Sequence, residues 1–166
     1  MAKLASSGTL KDKKAVVLAG TGPVGQRAAA MLALEGAEVT ITSRQLWAAE
    51  KVCEAMQHRF NDTIHAKAAA DLDARAHAIE DANIVVAAGA TGVELLKPEH
   101  WQHNSHLELL ADANATPPLG IGGIDMMDKG ELRHGKIVWG AIGFGALKLA
   151  LHRACITQLF EDNKQV

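Results

Sequence analysis

Apolar residues return along this chain in two alternating rhythms: unbroken runs of strand length, and stretches where they recur every three or four positions. Residues 15–19 read Ala-Val-Val-Leu-Ala, a strand that runs into glycines. Val24, Ala28, Met31 and Leu32 then recur at helical spacing until Gly36, a C-terminal cap. A second strand is predicted over 37–42. Leu46, Ala49, Cys53, Met56 and Phe60 stand at i, i+3, i+7, i+10 and i+14, which predicts a helix with its stripe, Cys53 included, in the core. A third strand over 63–68, a helix over 71–81 capped by Asp71 and a strongly apolar fourth strand over 83–88 follow. After Gly89-Ala90-Thr91-Gly92 the pattern predicts a short helical piece near 93–96, a histidine-bearing surface connection over 100–106 and a fifth strand over 107–111. Residues 112–125 hold two prolines and three glycines without periodicity and read as a long loop. A sixth strand over 137–142 precedes a last helix from about Gly143, with Phe144, Leu147, Leu151, Cys155 and Leu159 on one face.

Alternation of apolar strands with amphipathic helices predicts an α/β fold: a doubly wound, mainly parallel, Rossmann-like sheet with helices on both faces. One domain is expected from 13 to 166, with residues 1–12 as the tail of a connecting helix or a linker. Ligands in such folds bind beyond the carboxyl ends of the strands, where strand order reverses. The loops at 20–25, 43–44, 88–92 and 112–125 all follow predicted strands, so they are expected to converge on one cleft.

The turn at 20–25 carries the most chemistry. Gly20-Thr21-Gly22-Pro23-Val24-Gly25 fits G-x-G-x-x-G in its required setting, after a strand and before a helix. Gly20 permits the turn, Gly22 lets backbone approach a pyrophosphate, Gly25 allows close packing of helix on strand, and Pro23 suits a first helical turn. The helix N-terminus offers its free N–H groups and positive dipole end to phosphates. An NAD site usually has a carboxylate at the tip of the second strand to hold the ribose hydroxyls. Here that tip is Thr42-Ser43-Arg44, and a hydroxyl with a guanidinium suits a 2′-phosphate. NADP is therefore the expected cofactor, with NAD as the alternative.

Composition narrows the partners. The chain has 166 residues, 17 Lys plus Arg against 19 Asp plus Glu and a formal charge of −2, which argues against nucleic acid or membrane recognised through bulk charge. Two distant cysteines, Cys53 and Cys155, suit reduced thiols and a cytoplasmic location. No apolar run reaches the length of a membrane span. His100, His103 and His106 step around any helix and lack a Cys or carboxylate to complete a ligand set, so no metal is expected. Asp112 and Asp125 read more simply as loop-orienting residues than as a catalytic pair. Oligomeric state is not legible, and a homo-oligomer stays open.

Three stretches, Lys13-Lys-Ala-Val-Val-Leu-Ala-Gly-Thr-Gly-Pro-Val-Gly25, Ala111-Asp-Ala-Asn-Ala-Thr-Pro-Pro-Leu-Gly-Ile-Gly-Gly-Ile-Asp125 and Gly145-Ala-Leu-Lys-Leu-Ala-Leu-His-Arg-Ala-Cys155, resemble the NADP-dependent methylene-tetrahydromethanopterin and methylene-tetrahydrofolate dehydrogenases of methylotrophic bacteria. The resemblance implies hydride transfer from the methylene carbon of a pterin C1 carrier to NADP in one-carbon metabolism, with little acid or base catalysis. It implies that Gly20, Thr21, Gly22, Pro23, Val24 and Gly25 hold the pyrophosphate, and that Ser43 and Arg44 hold the 2′-phosphate. Ala88, Gly89 and Ala90, with Asp112, Asn114 and Pro117, would lie on the nicotinamide side. Lys148 matches a lysine near nicotinamide and pterin and is the expected active-site residue. These enzymes carry an N-terminal substrate domain ahead of the dinucleotide domain, which this chain is expected to lack. Two alternatives stay open: a stand-alone NADP-binding or redox-sensing module without turnover, and the cofactor domain of a shikimate-dehydrogenase-like oxidoreductase.

Overall fold

A computed structural model describes the backbone of residues 8–60 and 64–162, and their side chains apart from 59–60, 146–148 and 161–162. In chain order the elements are β1 (Lys14–Leu18), α1 (Pro23–Leu34), β2 (Glu38–Ser43), α2 (Leu46–Phe60), β3 (Ile64–Ala68), α3 (Leu72–Ala78), β4 (Ile84–Ala87), α4 (Pro98–Trp101), β5 (Leu109–Asp112), β6 (Lys129–Arg133), β7 (Lys136–Trp139) and α5 (Gly145–Asp162). Among the described residues seven strands form one sheet in the order β3-β2-β1-β4-β5-β7-β6, parallel except for the β6–β7 pair. The predicted doubly wound sheet is therefore present, and its central strands carry the unbroken apolar runs expected of strands covered on both faces.

Two apolar clusters sandwich the sheet. One joins Val17, Val39 and Ile84 to Ala29 and Leu32 of α1 and to Cys53 and Met56 of α2; the period placed Cys53 and Met56 correctly, whereas Leu46 at the head of the same stripe and Val24 and Met31 of the α1 set are exposed. Burial pushes the Cys53 thiol pKa up, so that side chain behaves as a small hydrophobe. Leu10, ahead of β1, is also fully buried there. The other cluster places Ile79, Leu95, Leu96, Trp101, Ile121 and Ile124 against the opposite face.

Several elements differ from the sequence expectation. Residues 93–96 are not helical; Leu96 instead bridges to Ile121, and the short helix α4 lies further on, starting at Pro98. Proline at the first helical position sets that start, and Trp101 anchors it by burying its ring and donating from Nε1 to Gly122 O at 2.9 Å. The sixth predicted strand is β7, which ends at Trp139, before Ile142. Before it stands β6, which the periodicity missed because this edge strand buries none of its residues. The hairpin turns on His134 and Gly135, both at positive φ (48° and 76°), the geometry of a two-residue primed turn.

The last helix forms, but its predicted apolar face is not packed on the sheet. Leu151 and Leu159 are 63% and 68% exposed, and Leu149, Ile156 and Phe160 on the opposite side are exposed too. Apolar residues on both sides give the helix no single face to bury. No helix among the described residues is long and apolar enough to cross a membrane.

Trp101 is the largest fully buried side chain and ties α4 to the loop after β5. Trp101→Ala is expected to cost about 3–5 kcal/mol in urea unfolding. A loss below about 1 kcal/mol would contradict that anchoring role.

Candidate nucleotide-binding site

Strand order reverses between β1 and β4, because β2 and β3 extend the sheet on one side of β1 while β4 and β5 extend it on the other. The loops leaving β1 and β4 therefore diverge and leave a crevice at the carboxyl edge of the sheet, the place where doubly wound folds take ligands. Register aligns Leu18 with Ala87 and Ala87 with Asp112, so the predicted site segments after β1, β4 and β5 leave the sheet side by side. Ser43, at the end of β2, sits beyond β1 on the other flank.

The three glycines of the turn do different work. A Cβ at Gly25 would stand 2.6 Å from Gly20 O, and one at Gly20 would stand 2.8 Å from a Val17 methyl. Both positions admit hydrogen alone, which lets α1 start directly against the turn. Gly22 is the contrary case: nothing lies within 4 Å of where its Cβ would be, so its side-chain direction is open space. Gly22 is also the N-cap of α1 and has no side chain with which to satisfy the first-turn amides. The N–H groups of Thr21, Gly22, Val24 and Gly25 find no acceptor among the described residues, whereas Gln26 N–H already donates to Gly22 O. Proline at the first helical position removes one further donor that would otherwise need a partner. The turn thus presents a row of unpaired donors at the positive end of a helix.

Neighbouring strands hold this turn in place. Ala19, at φ 51°, donates its N–H to the buried Thr42 hydroxyl at 3.1 Å, and Gly20 N–H donates to Thr42 O at 3.1 Å. The sequence named Thr42 only as part of the strand tip; its hydroxyl instead accepts from Ala19 N–H across the sheet, a contact that no local pattern announces. Ser43 is half-buried and Arg44 exposed at the same strand tip, with no intramolecular hydrogen bond or ion pair to the Arg44 guanidinium among the described residues. On the other side of the crevice Ala88 N–H donates to Leu18 O, Ala90 O accepts from Val93 N–H, and Gly89 lies close under Leu95.

Asp112 organises the loop that follows β5. It is 1% exposed, and its carboxylate oxygens accept from the N–H groups of Asn114 (2.9 Å) and Ile121 (2.8 Å), which folds the chain back on itself. Burial pushes its pKa up, against the opposing pull of backbone amides at Asn114, Ile121 and Gly120. Asn114 accepts from Thr116 N–H through Oδ1, while its Nδ2 is buried without a partner among the described residues. A buried amide left without an acceptor costs about 1–3 kcal/mol, which a water or ligand oxygen placed there would relieve. Pro117 is exposed on the outside of this loop. Lys148 falls in the first turns of α5, and its side chain lies outside the described residues. No group of three or more His, Cys, Asp or Glu among the described residues could hold a metal ion; His100 instead accepts from Lys97 N–H.

With that geometry in place, relatives can be compared. The family model for shikimate / quinate 5-dehydrogenases matches residues 2–113. The chain belongs to this family. Bifunctional protein MdtA of Methylorubrum extorquens is 52% identical over 162 residues, 98% of this chain and 56% of that protein. The NAD(P)-dependent methylenetetrahydromethanopterin dehydrogenase of the same organism is 36% identical over 118 residues, 70% of this chain and 40% of that protein. The chain spans about half the length, or less, of the curated relatives it matches. The resemblance to methylene-tetrahydropterin dehydrogenases is borne out by these relatives. Among solved structures, a transhydrogenase from Sinorhizobium meliloti superposes with a TM-score of 0.59 at 22% identity, covering 82% of this chain and 39% of that one, which shows the fold alone.

Two substitutions separate the roles of the glycines. Gly25→Ala is expected to lower stability by about 2 kcal/mol or more through overlap with Gly20 backbone, and Gly22→Ala to change it by less than about 0.5 kcal/mol. Equal losses in urea melts would contradict the assignment. Asp112→Asn removes one of two acceptors and is expected to cost about 1–3 kcal/mol; an unchanged melt would show that the carboxylate does not organise the loop.

Proposed function

We propose that this chain is the NADP-binding domain, residues 13–166, of a dehydrogenase that transfers a hydride from methylene-tetrahydromethanopterin or methylene-tetrahydrofolate to NADP. The observation that carries the reading is the β1–α1 turn: unpaired amides at Thr21, Gly22, Val24 and Gly25 around a glycine whose Cβ direction is open. The substrate class is supported by the likeness to the methylenetetrahydromethanopterin dehydrogenase of Methylorubrum extorquens, 36% identical over 118 residues. The family match ends at residue 113, just ahead of the loop after β5.

The residues present fit a dinucleotide. The turn offers donors to a diphosphate. Ser43 and Arg44 offer a hydroxyl and a planar guanidinium, with no carboxylate at the strand tip, which favours a 2′-phosphate over free ribose hydroxyls. The unpaired Asn114 Nδ2 supplies a buried donor on the side assigned to nicotinamide. When bound, the oxidised nicotinamide is the hydride acceptor. The protein's own part is to fix the carrier and exclude alternative geometries, since the reacting methylene carbon lies between two nitrogens that spread the positive charge left behind. By the same resemblance Lys148 is assigned to the pterin-facing side, and the other wall of the pterin cleft to the substrate domain that those enzymes carry.

Calorimetric titration with NADPH and NADH, followed by methylene-pterin oxidation monitored by nicotinamide absorbance, tests this. Affinity for NADPH is expected near micromolar, about −8 kcal/mol, with NADH weaker and turnover by this chain alone weak or nil. Gly22→Ala is expected to weaken NADPH binding by about tenfold or more, since its methyl would meet the diphosphate. Tighter NADH binding would overturn the NADP assignment. Brisk turnover would overturn the divided site, and failure to bind either dinucleotide would overturn the proposal as a whole.

A further inference from the structure

Arg75, on α3, attracted no attention in the sequence, where it stands among alanines in a short helix. In the structure its guanidinium reaches the carboxyl edge of the sheet and ties two of the loops that flank the cleft. Nη2 donates to Ala70 O at 2.8 Å, just after β3, and Nη1 lies 3.5 Å from Glu94 O in the loop after β4. The Ala70 segment is in turn bound to the tip of β2, because Ala69 N–H donates to Ser43 O at 2.7 Å. Arg75 therefore stands beside Ser43-Arg44, and the half-buried guanidinium is held in one orientation by carbonyls from two different loops.

Arg44 is close enough that its positive charge matters to Arg75. Burial lowers the Arg75 pKa, the Asp71 carboxylate opposes it, and the charge of Arg44 adds a smaller lowering. Asp71 is fixed in place as the cap of α3, accepting from Ala74 N–H at 2.8 Å, and keeps its negative charge beside Arg75. Two guanidiniums gathered at one rim repel each other, and an anion between them relieves that repulsion. Arg75 uses two of its five N–H donors on the two carbonyls, so three remain unpaired among the described residues and within an incoming ligand's reach.

We propose that Arg75 is a second determinant of cofactor choice: with Arg44 it forms a two-sided clamp for a phosphomonoester on the adenosine ribose, the 2′-phosphate of NADP. This inference rests on the dinucleotide reading above and deepens it. The Ser43-Arg44 tip supplies one wall of the phosphate pocket, and Arg75, braced across the β3 and β4 loops, supplies the other. Its planar fork suits phosphate oxygens in a way that a lysine ammonium at the same place does not.

The test is calorimetry on wild type, Arg75→Gln and Arg75→Lys with NADPH, NADH, adenosine 2′,5′-bisphosphate and ADP, alongside thermal melts. Arg75→Gln is expected to weaken NADPH and the 2′,5′-bisphosphate by about tenfold or more, while NADH and ADP move by less than about twofold. Arg75→Lys, which keeps a cation and a donor for Ala70 O, is expected to fall between the two, so the result stands even if the glutamine variant melts early. Unchanged NADPH binding overturns the proposal. Equal weakening of NADPH and NADH also overturns it, because Arg75 would then brace the loops or support adenine instead. A wild-type chain that binds neither dinucleotide sinks the underlying functional reading. One that binds both, with Arg75 variants indifferent to the 2′-phosphate, sinks only this inference.

Discussion

The candidate site depends on the contact between Gly25 and Gly20. The first turn of α1 lies so close to the end of β1 that the space for a Cβ at position 25 is already filled by backbone atoms of residue 20. That closeness forces the helix to begin at the sheet edge with its amides directed outward. Hydrogen bonding to water alone would satisfy those amides poorly once a ligand covers them, so an anionic acceptor is the natural complement. The open Cβ direction at Gly22, two residues away, leaves room for that acceptor.

A turn of this kind has value only if the neighbouring loops stay in register with it, and the structure shows how they do. The Thr42 hydroxyl and carbonyl hold Ala19 and Gly20 from the β2 side. On the other side the β4 loop is tied to the β5 loop where Leu95 and Leu96 N–H groups share Gly120 O, and Asp112 closes the same loop from within. Trp101 supports this assembly from behind through Gly122. Buried polar groups are therefore spent on geometry at the cleft rim, while the two apolar clusters beneath supply the bulk of the folding free energy.

How far the sequence revealed this varies with the kind of signal each residue leaves. Strand β1, its turn and α1 were legible because three constraints coincide there: an apolar run, a glycine spacing and a helical period. Cys53 and Met56 were placed in the core by period alone. The β6–β7 hairpin escaped because its edge strand buries no side chain and so leaves no alternation, although His134-Gly135 is a readable turn. The apolar period of α5 told of a helix but not of its burial, since period reports which residues share a face and not what covers that face. Side chains that act through long-range contacts, such as Thr42 and Arg75, carry no local pattern at all. Their partners are set by which strands lie next to one another, and that follows from topology.

Amide chemical shifts in a nitrogen-15-labelled sample titrated with NADP offer the most direct test of the central claim. Thr21, Gly22, Val24 and Gly25 are expected to show the largest changes and to saturate together with the calorimetric binding curve. Saturable binding that leaves those four amides unmoved would place the dinucleotide elsewhere and contradict the account.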